Sequence, residues 1–252
     1  MALDGKIALV SGSGQGVGQG IAFALARAGA KLVLFGRTKS KLVTTKGTIE
    51  KRGGEALVVA GDVCNASDLE RAVDAAVEKW GGIDILVNNA QQVPNGPLLD
   101  VTDEAFELGF KSGPLAILRL MKLVQPIMKE RGGGVIFNLV SSAGIRWDMS
   151  GFGAYGSVKQ AIRPLTSAAA SEWGRDHIRV LSIAPHAKSP GLERWIEKNP
   201  EEAEAFFRTI PLGKIGECEE DIGCAVVGLC GPEFSYLTGA TIPLDGGQAN
   251  FD

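Results

Sequence analysis

The chain has 252 residues, a formal net charge of -3, 45% hydrophobic residues and 22% charged residues. This balance is that of a globular protein with enough apolar side chains for a sizeable core. A mildly acidic chain offers no broad electrostatic reason to bind a nucleic acid or an anionic membrane, so we expect a small-molecule substrate.

The N-terminal segment and the cysteines bear on compartment and metal content. Met1 to Lys6 carries no basic leader before an apolar segment, and the apolar run that follows ends at Val10, which predicts a cytoplasmic protein.

No C-x-x-C pair or adjacent histidine completes a zinc site, so we expect buried, reduced thiols and no metal. The cysteines are Cys64, Cys218, Cys224 and Cys230.

Short apolar runs alternate along the chain with amphipathic stretches of helical period, such as Val17 to Ala28 and Ser67 to Trp80. Continuous apolar strands alternating with helices predict an α/β fold, with one doubly wound parallel sheet covered on both faces. We expect a single domain spanning residues 1–252. The predicted strands are Lys6 to Val10, Lys31 to Phe35, Ala56 to Ala60, Ile83 to Asn88, Val135 to Val140, Ile178 to Ala184 and Thr241 to Leu244.

A glycine-rich turn follows the first strand. Glycines there allow a tight turn, a close approach of the backbone to a pyrophosphate and tight packing of the next helix, whose N-terminus favours negative charge. Because a strand precedes the turn and a helical pattern follows it, the segment predicts a dinucleotide-binding site. Its residues are Gly12, Ser13, Gln15, Gly16, Val17 and Gly18.

The ends of the second and third strands indicate which cofactor is bound. The second strand ends near Arg37, where a cofactor with a free ribose 2′-hydroxyl would require an acidic residue. Arg37 can pair with a 2′-phosphate, so NADP(H) is favoured and NAD(H) is the alternative, unless Arg37 is simply a solvated surface residue. Asp62, after the third strand, is either a partner for the adenine edge or a cap for the turn that follows.

Tyr155 and Lys159 are four residues apart, which places both side chains on one face of a helix. A nearby positive charge favours the phenolate and makes tyrosine a better proton acceptor near neutral pH. Ser142 lies at a strand end thirteen residues before Tyr155, and its hydroxyl is suited to hold a substrate oxygen beside the phenol.

Taken together, these motifs with Asn88-Asn89-Ala90 and Asp245-Gly246-Gly247 resemble the classical short-chain dehydrogenases/reductases over essentially the whole chain. The resemblance implies a seven-stranded Rossmann sheet in which Tyr155 is the acid or base and Ser142 orients the carbonyl. Lys159 would bind the nicotinamide ribose and lower the pKa of Tyr155. It further implies the family's strand-four Asn at Asn88 and cofactor contacts at Asp62, Val63, Asn89, Ala90, Tyr155, Lys159, Pro185 and Ser189.

Members of this family are commonly tetramers joined through two long helices and the C-terminal segment. We therefore expect a homotetramer or homodimer in which Thr102 to Lys129 and Tyr155 to Trp173 are partly interfacial.

The sequence departs from the family pattern at three places around the expected pocket. Gln91 stands where the family has glycine, and either narrows the pocket or contacts the substrate. Aligning Gly113 with the usual glycine puts Phe110 at the position of the asparagine that anchors a proton-relay water. His186 follows Pro185 in place of glycine, either as a contact or as an ordinary loop histidine, and Ser189 is a replacement for the carboxamide-binding threonine.

The predicted function is that of an NADP(H)-preferring alcohol dehydrogenase or ketone reductase acting on a cyclic or acyl substrate. A helical flap over residues 189–211 is expected to cover the strand ends, with a plain surface helix as the alternative. Other candidates are a cofactor-binding protein with impaired catalysis and a structural or regulatory role, and a non-redox lyase or isomerase. Candidate substrate contacts are Gln91, Trp147, Phe152, His186 and Trp195, with Met149, Phe206 and Phe207 as further apolar candidates.

Overall fold

The computed structural model describes residues 1–92, 94–146 and 150–249. Seven parallel strands form one sheet in the order β3-β2-β1-β4-β5-β6-β7. The strands are β1 Ile7–Ser11, β2 Lys31–Gly36, β3 Ala56–Ala60, β4 Ile85–Asn88, β5 Gly134–Leu139, β6 Ile178–Pro185 and β7 Thr241–Leu244. The predicted doubly wound parallel sheet is confirmed, with strand ends that lie within two residues of the predicted ones.

Helices cover both faces of this sheet, as the continuous apolar strands require. Within the described residues, no helix has the length and apolar character needed to cross a bilayer. The helices are α1 Gly16–Arg27, α2 Lys39–Lys51, α3 Ala66–Trp80, α4 Asp103–Phe110, α5 Ala116–Glu130, α6 Gly153–Gln160, α7 Ile162–Trp173, α8 Pro190–Lys198, α9 Pro200–Phe207 and α10 Cys224–Cys230.

Two hydrophobic cores lie on opposite sides of the sheet. On one side α3, α5 and α7 pack against it through side chains such as Leu69, Leu120 and Ile162. On the other side α1, α2 and α10 contribute Ile21, Leu42 and others. The strand order reverses between β1 and β4, and their carboxyl ends open there into the crevice where doubly wound sheets bind ligands.

The two long helices predicted from the sequence are both interrupted. Between α4 and α5 the chain forms a π-helical turn at Lys111–Leu115 that contains Pro114, a residue without an N–H to donate. Helices α6 and α7 are separated at Ala161, because Pro164 has no N–H for the carbonyl of Gln160.

The segment predicted as a helical flap forms two short helices, α8 and α9. Ser189 caps α8 by accepting a hydrogen bond from the Leu192 N–H at 3.3 Å. Asn199 has φ -136° and ψ 61° and precedes Pro200, and the proline disfavours a helical conformation at the residue before it. Whether this segment acts as a flap stays a prediction.

A buried polar chain crosses the sheet beneath the crevice. Asn88 Nδ2 donates to Asn138 Oδ1 at 2.8 Å, and Asn138 Nδ2 donates to Thr166 Oγ1 at 3.0 Å. Ser182 Oγ continues the chain to Thr166 Oγ1 at 2.9 Å. Asn88 thus ties β4 to β5, and through Thr166 to α7 and β6, which fixes the strand ends that carry the site.

The cysteines are less buried than predicted. All four are free, Cys64, Cys218 and Cys230 are partly buried, and Cys224 is exposed. Cys224 Sγ accepts a hydrogen bond from Arg27 Nη2 at 3.0 Å, which holds it at the surface between α1 and α10.

Candidate active site

The glycine-rich turn packs tightly against the end of β4. Gly12 has φ 70°, and a Cβ there would lie 3.0 Å from the Ala90 Cα, while a Cβ at Gly18 would lie 2.6 Å from the Gly12 carbonyl oxygen. Asn89 Nδ2 donates to the carbonyls of Ser11 at 3.0 Å and Gly12 at 3.2 Å. The Asn89 amide therefore supports the turn from behind, and only residues without side chains fit at the two glycines.

The open face of the turn is formed by Gly16, Val17 and Gln15. Gln15 is exposed and its Oε1 accepts a hydrogen bond from Lys41 Nζ. Ser13, in contrast, is fully buried and its Oγ has no partner among the described residues. The turn thus directs the Ser13 side chain into the interior, and the expected contact of Ser13 with the cofactor stays a prediction.

Arg37 is exposed at the end of β2 and reaches toward the loop after β4. The oxygen of the Gln92 side-chain amide is oriented toward the guanidinium. It accepts a hydrogen bond from Arg37 Nη2 at 3.0 Å and another from Arg37 Nη1. Asp62 Oδ1 accepts from the Cys64 N–H at 2.9 Å, so it caps the turn after β3 beside the buried Val63. The cap is one of the two roles that the sequence left open for Asp62, and the contact with adenine stays a prediction.

The predicted Tyr155 and Lys159 pair lies on α6, as the four-residue spacing requires. Lys159 is buried, its Nζ donates to the Leu139 carbonyl at 2.7 Å, and it lies 5.9 Å from the centroid of the Tyr155 ring. Phe152 packs edge-on against Tyr155 with ring centroids 6.0 Å apart. The structure thus brings the phenol, the amine and one predicted substrate contact together.

Burial governs the protonation of this pair. It lowers the pKa of Lys159 to about 7 and raises the pKa of the Tyr155 phenol, an effect that a hydrogen bond with Ser141 partly offsets. The expected lowering of the Tyr155 pKa by Lys159 is not observed, because burial raises this pKa and the Lys159 amine is itself desolvated and directed at a backbone carbonyl. Near neutral pH the phenol is protonated and suited to donate a proton.

Two adjacent serines lie at the end of β5, and the sequence singled out only the second. Ser142 opens a short turn at Ser142–Gly144, while Ser141 Oγ accepts from the Ala143 N–H at 3.2 Å and forms the hydrogen bond with Tyr155. Sequence spacing does not distinguish neighbours whose side chains differ only in direction, so Ser141 was missed.

Phe110 ends α4 beside an outer groove. Its ring packs against Phe106 with centroids 5.1 Å apart and lines this groove with Leu115 and Leu118. Gly109 and Gly113 both face α6, where a Cβ at Gly109 would lie 3.0 Å from Val158 Cγ2 and a Cβ at Gly113 would lie 3.2 Å from Val158 Cγ1. The alignment that places Phe110 at the relay position stays a prediction.

His186 and the helices α8 and α9 form an aromatic cluster around Phe206. The His186 ring lies 5.2 Å from the Phe206 ring and the Trp195 ring 5.8 Å from it, both nearly perpendicular. Burial lowers the pKa of His186, and the nearby Arg146 lowers it further while Asp245 raises it. His186 is therefore a neutral imidazole at pH 7 and is more than a solvated loop residue.

Arg146 is a further residue of this region that sequence reasoning missed. Its guanidinium lies 5.6 Å from the centroid of the Phe206 ring, a separation typical of cation–π contacts. The signal available in the sequence was its position four residues after Ser142. Trp147 and Met149, two expected substrate contacts, lie outside the described residues.

The residues of the glycine-rich turn and of the carboxyl end of β6 fit a pyridine dinucleotide. At Gly12 and Gly18 there is room only for backbone atoms. Gly16 faces the segment before α8, since a Cβ at Gly16 would lie 3.5 Å from Ser189 Cβ. Pro185 ends β6 at the same edge of the sheet. His186 Nδ1 is buried without a partner among the described residues. The N-terminus of α1, which carries no acidic residue in its first turn, favours a phosphate there.

Comparisons with known proteins agree with this geometry. The sequence matches the family model described as Enoyl-(Acyl carrier protein) reductase over residues 12–249. It is 40% identical to a 12alpha-hydroxysteroid dehydrogenase of Clostridium sp. (strain ATCC 29733 / VPI C48-50), over 97% of each chain.

Two solved structures are also closely similar. A 7 alpha-hydroxysteroid dehydrogenase complexed with NADH and 7-oxo glycochenodeoxycholic acid has a TM-score of 0.92 and 31% identity, covering 98% of this chain and 95% of that one. The L-sorbose reductase of Gluconobacter frateurii, complexed with NADPH and L-sorbose, has a TM-score of 0.91 and 27% identity, with full coverage of both chains at 100%.

Proposed function

The chain belongs to the classical short-chain dehydrogenase/reductase family, and we propose that it is an NADP(H)-preferring alcohol dehydrogenase or ketone reductase. One observation carries the proposal: the Tyr155 phenol and the buried Lys159 amine lie together on α6, with Lys159 Nζ 5.9 Å from the Tyr155 ring centroid. The glycine-rich turn lies at the carboxyl edge of the same sheet, which supports a dinucleotide as the cofactor.

In this mechanism the bound nicotinamide supplies or accepts the hydride. During ketone reduction the Tyr155 phenol donates its proton to the carbonyl oxygen, and during alcohol oxidation the phenolate takes the hydroxyl proton. Ser142 holds the substrate oxygen, while the neighbouring Ser141 forms a hydrogen bond with the phenol. Lys159 orients the ribose and returns a proton to Tyr155 after each reduction.

Steady-state assays with a panel of ketones and each reduced cofactor test this function. We expect oxidation of NADPH accompanied by an equal amount of alcohol, and weaker activity with NADH. Tight NADPH binding without turnover on any member of the panel would instead favour a cofactor-binding protein with a structural or regulatory role.

The NADP(H) preference rests on Arg37. This exposed guanidinium follows β2, the strand end at which the ribose 2′-group is expected, and Lys41 on α2 is bonded to Gln15. We expect Arg37→Asp to weaken NADPH binding by about 100-fold, because a charge-assisted pair becomes a repulsive one. NADH binding should change little.

Calorimetric titration with each cofactor checks this prediction. Arg175→Asp makes the same charge change at an exposed site in the turn after α7 and should leave both affinities unchanged. Equal effects of Arg37→Asp on NADPH and NADH would contradict the assignment.

For the substrate, we propose a cyclic secondary alcohol or the corresponding ketone. The support is the aromatic cluster of His186, Trp195 and Phe206, with Phe152 beside Tyr155, which offers flat apolar surfaces to a rigid ring system. The similarity to hydroxysteroid dehydrogenases agrees with this class, so steroid and monocyclic ketones belong in the panel beside L-sorbose.

For the assembly, we propose a homotetramer or homodimer. An apolar groove of about 850 Å³ runs along α4, α5 and α7, with Leu108, Phe110, Leu115, Leu118 and Leu165 in its walls. Light scattering after size exclusion should give a mass of two or four chains. We expect Leu118→Glu to shift the protein toward smaller species, and a monomeric wild-type protein at micromolar concentration would contradict the proposal.

A further inference from the structure

The side chain of Gln91 carries an unusual polar group for a protein interior. Both its Oε1 and its Nε2 are buried, and neither has a hydrogen-bond partner among the described residues. A primary amide offers two donors and one acceptor oxygen, and burying all of them unpaired is costly. Buried polar groups left unpaired by the protein are commonly bonded to an interior water.

The Gln91 amide occupies the space left by the missing side chain of Gly113. A Cβ built on Gly113 would lie 2.9 Å from Gln91 Cδ and closer still to Nε2. The same position is 3.2 Å from Cγ1 of Val158, which is fully buried between Tyr155 and Lys159 on α6. The amide therefore lies between the π-helical turn and the helix that carries the phenol and the amine.

The backbone of the next residue fixes this arrangement. The Gln92 N–H donates to Ser112 Oγ at 3.0 Å, and Ser112 is itself buried in the π-helical turn. Ser112 Oγ in turn lies within donating distance of the carbonyl oxygens of Leu108, at 2.8 Å, and Gln92, at 3.1 Å. This clamp joins the loop after β4 to the turn and directs Gln91 toward Gly113.

We propose that Gln91 is a positioning residue whose carboxamide holds a water beside Gly113, through which Lys159 exchanges protons with solvent. The inference rests on the proposed function. When Tyr155 gives its proton to the substrate oxygen, Lys159 gives one proton to the phenolate, takes one from this water, and the water takes one from solvent. An amide on the loop after β4 thus does what the family assigns to an asparagine on the fifth helix.

Replacing the amide by an apolar group of similar size tests its chemical role. We expect Gln91→Leu to lower kcat by roughly 10- to 100-fold and to change the pH profile of kcat, with NADPH affinity unchanged. Thermal stability should stay equal or rise, since an unpaired buried amide is removed. Gln125→Leu, a control on α5 where Gln125 bonds Asp176, should keep the wild-type kcat.

An exchange of side chains separates chemistry from space filling. Gly113→Asn alone should lower the melting temperature and kcat, because its Cβ meets the Gln91 amide, and Gln91→Gly alone should lower kcat. The double variant Gln91→Gly/Gly113→Asn should recover stability, kcat and the pH profile. Its matched control, Gln91→Gly/Gly113→Leu, should recover the melting temperature, but its kcat should stay low.

The outcomes separate this inference from the proposed function. If wild-type protein turns over and Gln91→Leu keeps its kcat and pH profile, or if the two double variants behave alike, the positioning role is refuted alone. If wild-type protein reduces no ketone, the proposed function and this inference fall together.

Discussion

Tyr155→Phe is expected to lower the kcat of ketone reduction by about 10³-fold, because the phenol is the only source of the proton delivered to the substrate oxygen in this mechanism. Removing one hydroxyl leaves the ring in place against Phe152, so NADPH affinity and melting temperature should not change. Steady-state kinetics and calorimetric titration on the same preparation check both statements.

The chain provides a matched control for this substitution. Its other tyrosine, Tyr236, is fully exposed, and Tyr236→Phe should keep the wild-type kcat. The raised pKa of Tyr155 also sets the pH dependence: ketone reduction should be favoured at neutral pH and decline in the alkaline range, whereas alcohol oxidation should rise there. A Tyr155→Phe variant with wild-type turnover would remove this residue from the mechanism.

Lys159→Met should lower kcat by at least about 100-fold, because it removes the group that returns protons to Tyr155 and orients the ribose. The same variant has a distinctive effect on stability. Burial holds the pKa of Lys159 at about 7, against 10.5 for an ordinary lysine, so the native state penalises the charged form.

The pH window of that penalty follows from the two values. Below about pH 7 the side chain is protonated in both native and unfolded states, and the full cost of burying the charge applies. Between pH 7 and 10.5 only the unfolded state binds the proton, so the cost declines as pH rises. The free energy of unfolding of the wild type, relative to that of Lys159→Met, should therefore increase as pH rises through this window.

Melting temperatures of both proteins from pH 6 to pH 10 measure this difference. Lys51→Met, at the exposed end of α2, is the control and should show no such trend. A stability difference between wild type and Lys159→Met that is constant over the whole range would mean that Lys159 carries an ordinary pKa.

The parts of this site that depend on local spacing could be predicted from the sequence. Tyr155 and Lys159 are four residues apart on one helix, and the glycines of the first turn follow a strand directly, so neither conclusion requires knowledge of the rest of the fold. The alternation of apolar strands and helices likewise determined the doubly wound sheet.

What could not be predicted depends on direction or on distant parts of the chain. Ser13 lies within the glycine-rich turn but points inward, and Ser141 rather than Ser142 bonds the phenol. Phe110 and Gly113 are three residues apart, yet Phe110 lines the outer groove whereas Gly113 packs against Gln91 and Val158. The approach of Gln91 to Gly113 joins two loops that only the folded sheet brings together.

The most direct test of hydride transfer uses NADPH carrying deuterium at the transferring position of the nicotinamide. We predict that the alcohol formed from the preferred ketone contains one deuterium on the former carbonyl carbon, as shown by mass spectrometry, and that Tyr155→Phe forms almost none. Alcohol without deuterium, or bound NADPH that transfers deuterium to no ketone of the panel, would contradict the assignment of this protein as an alcohol and ketone oxidoreductase.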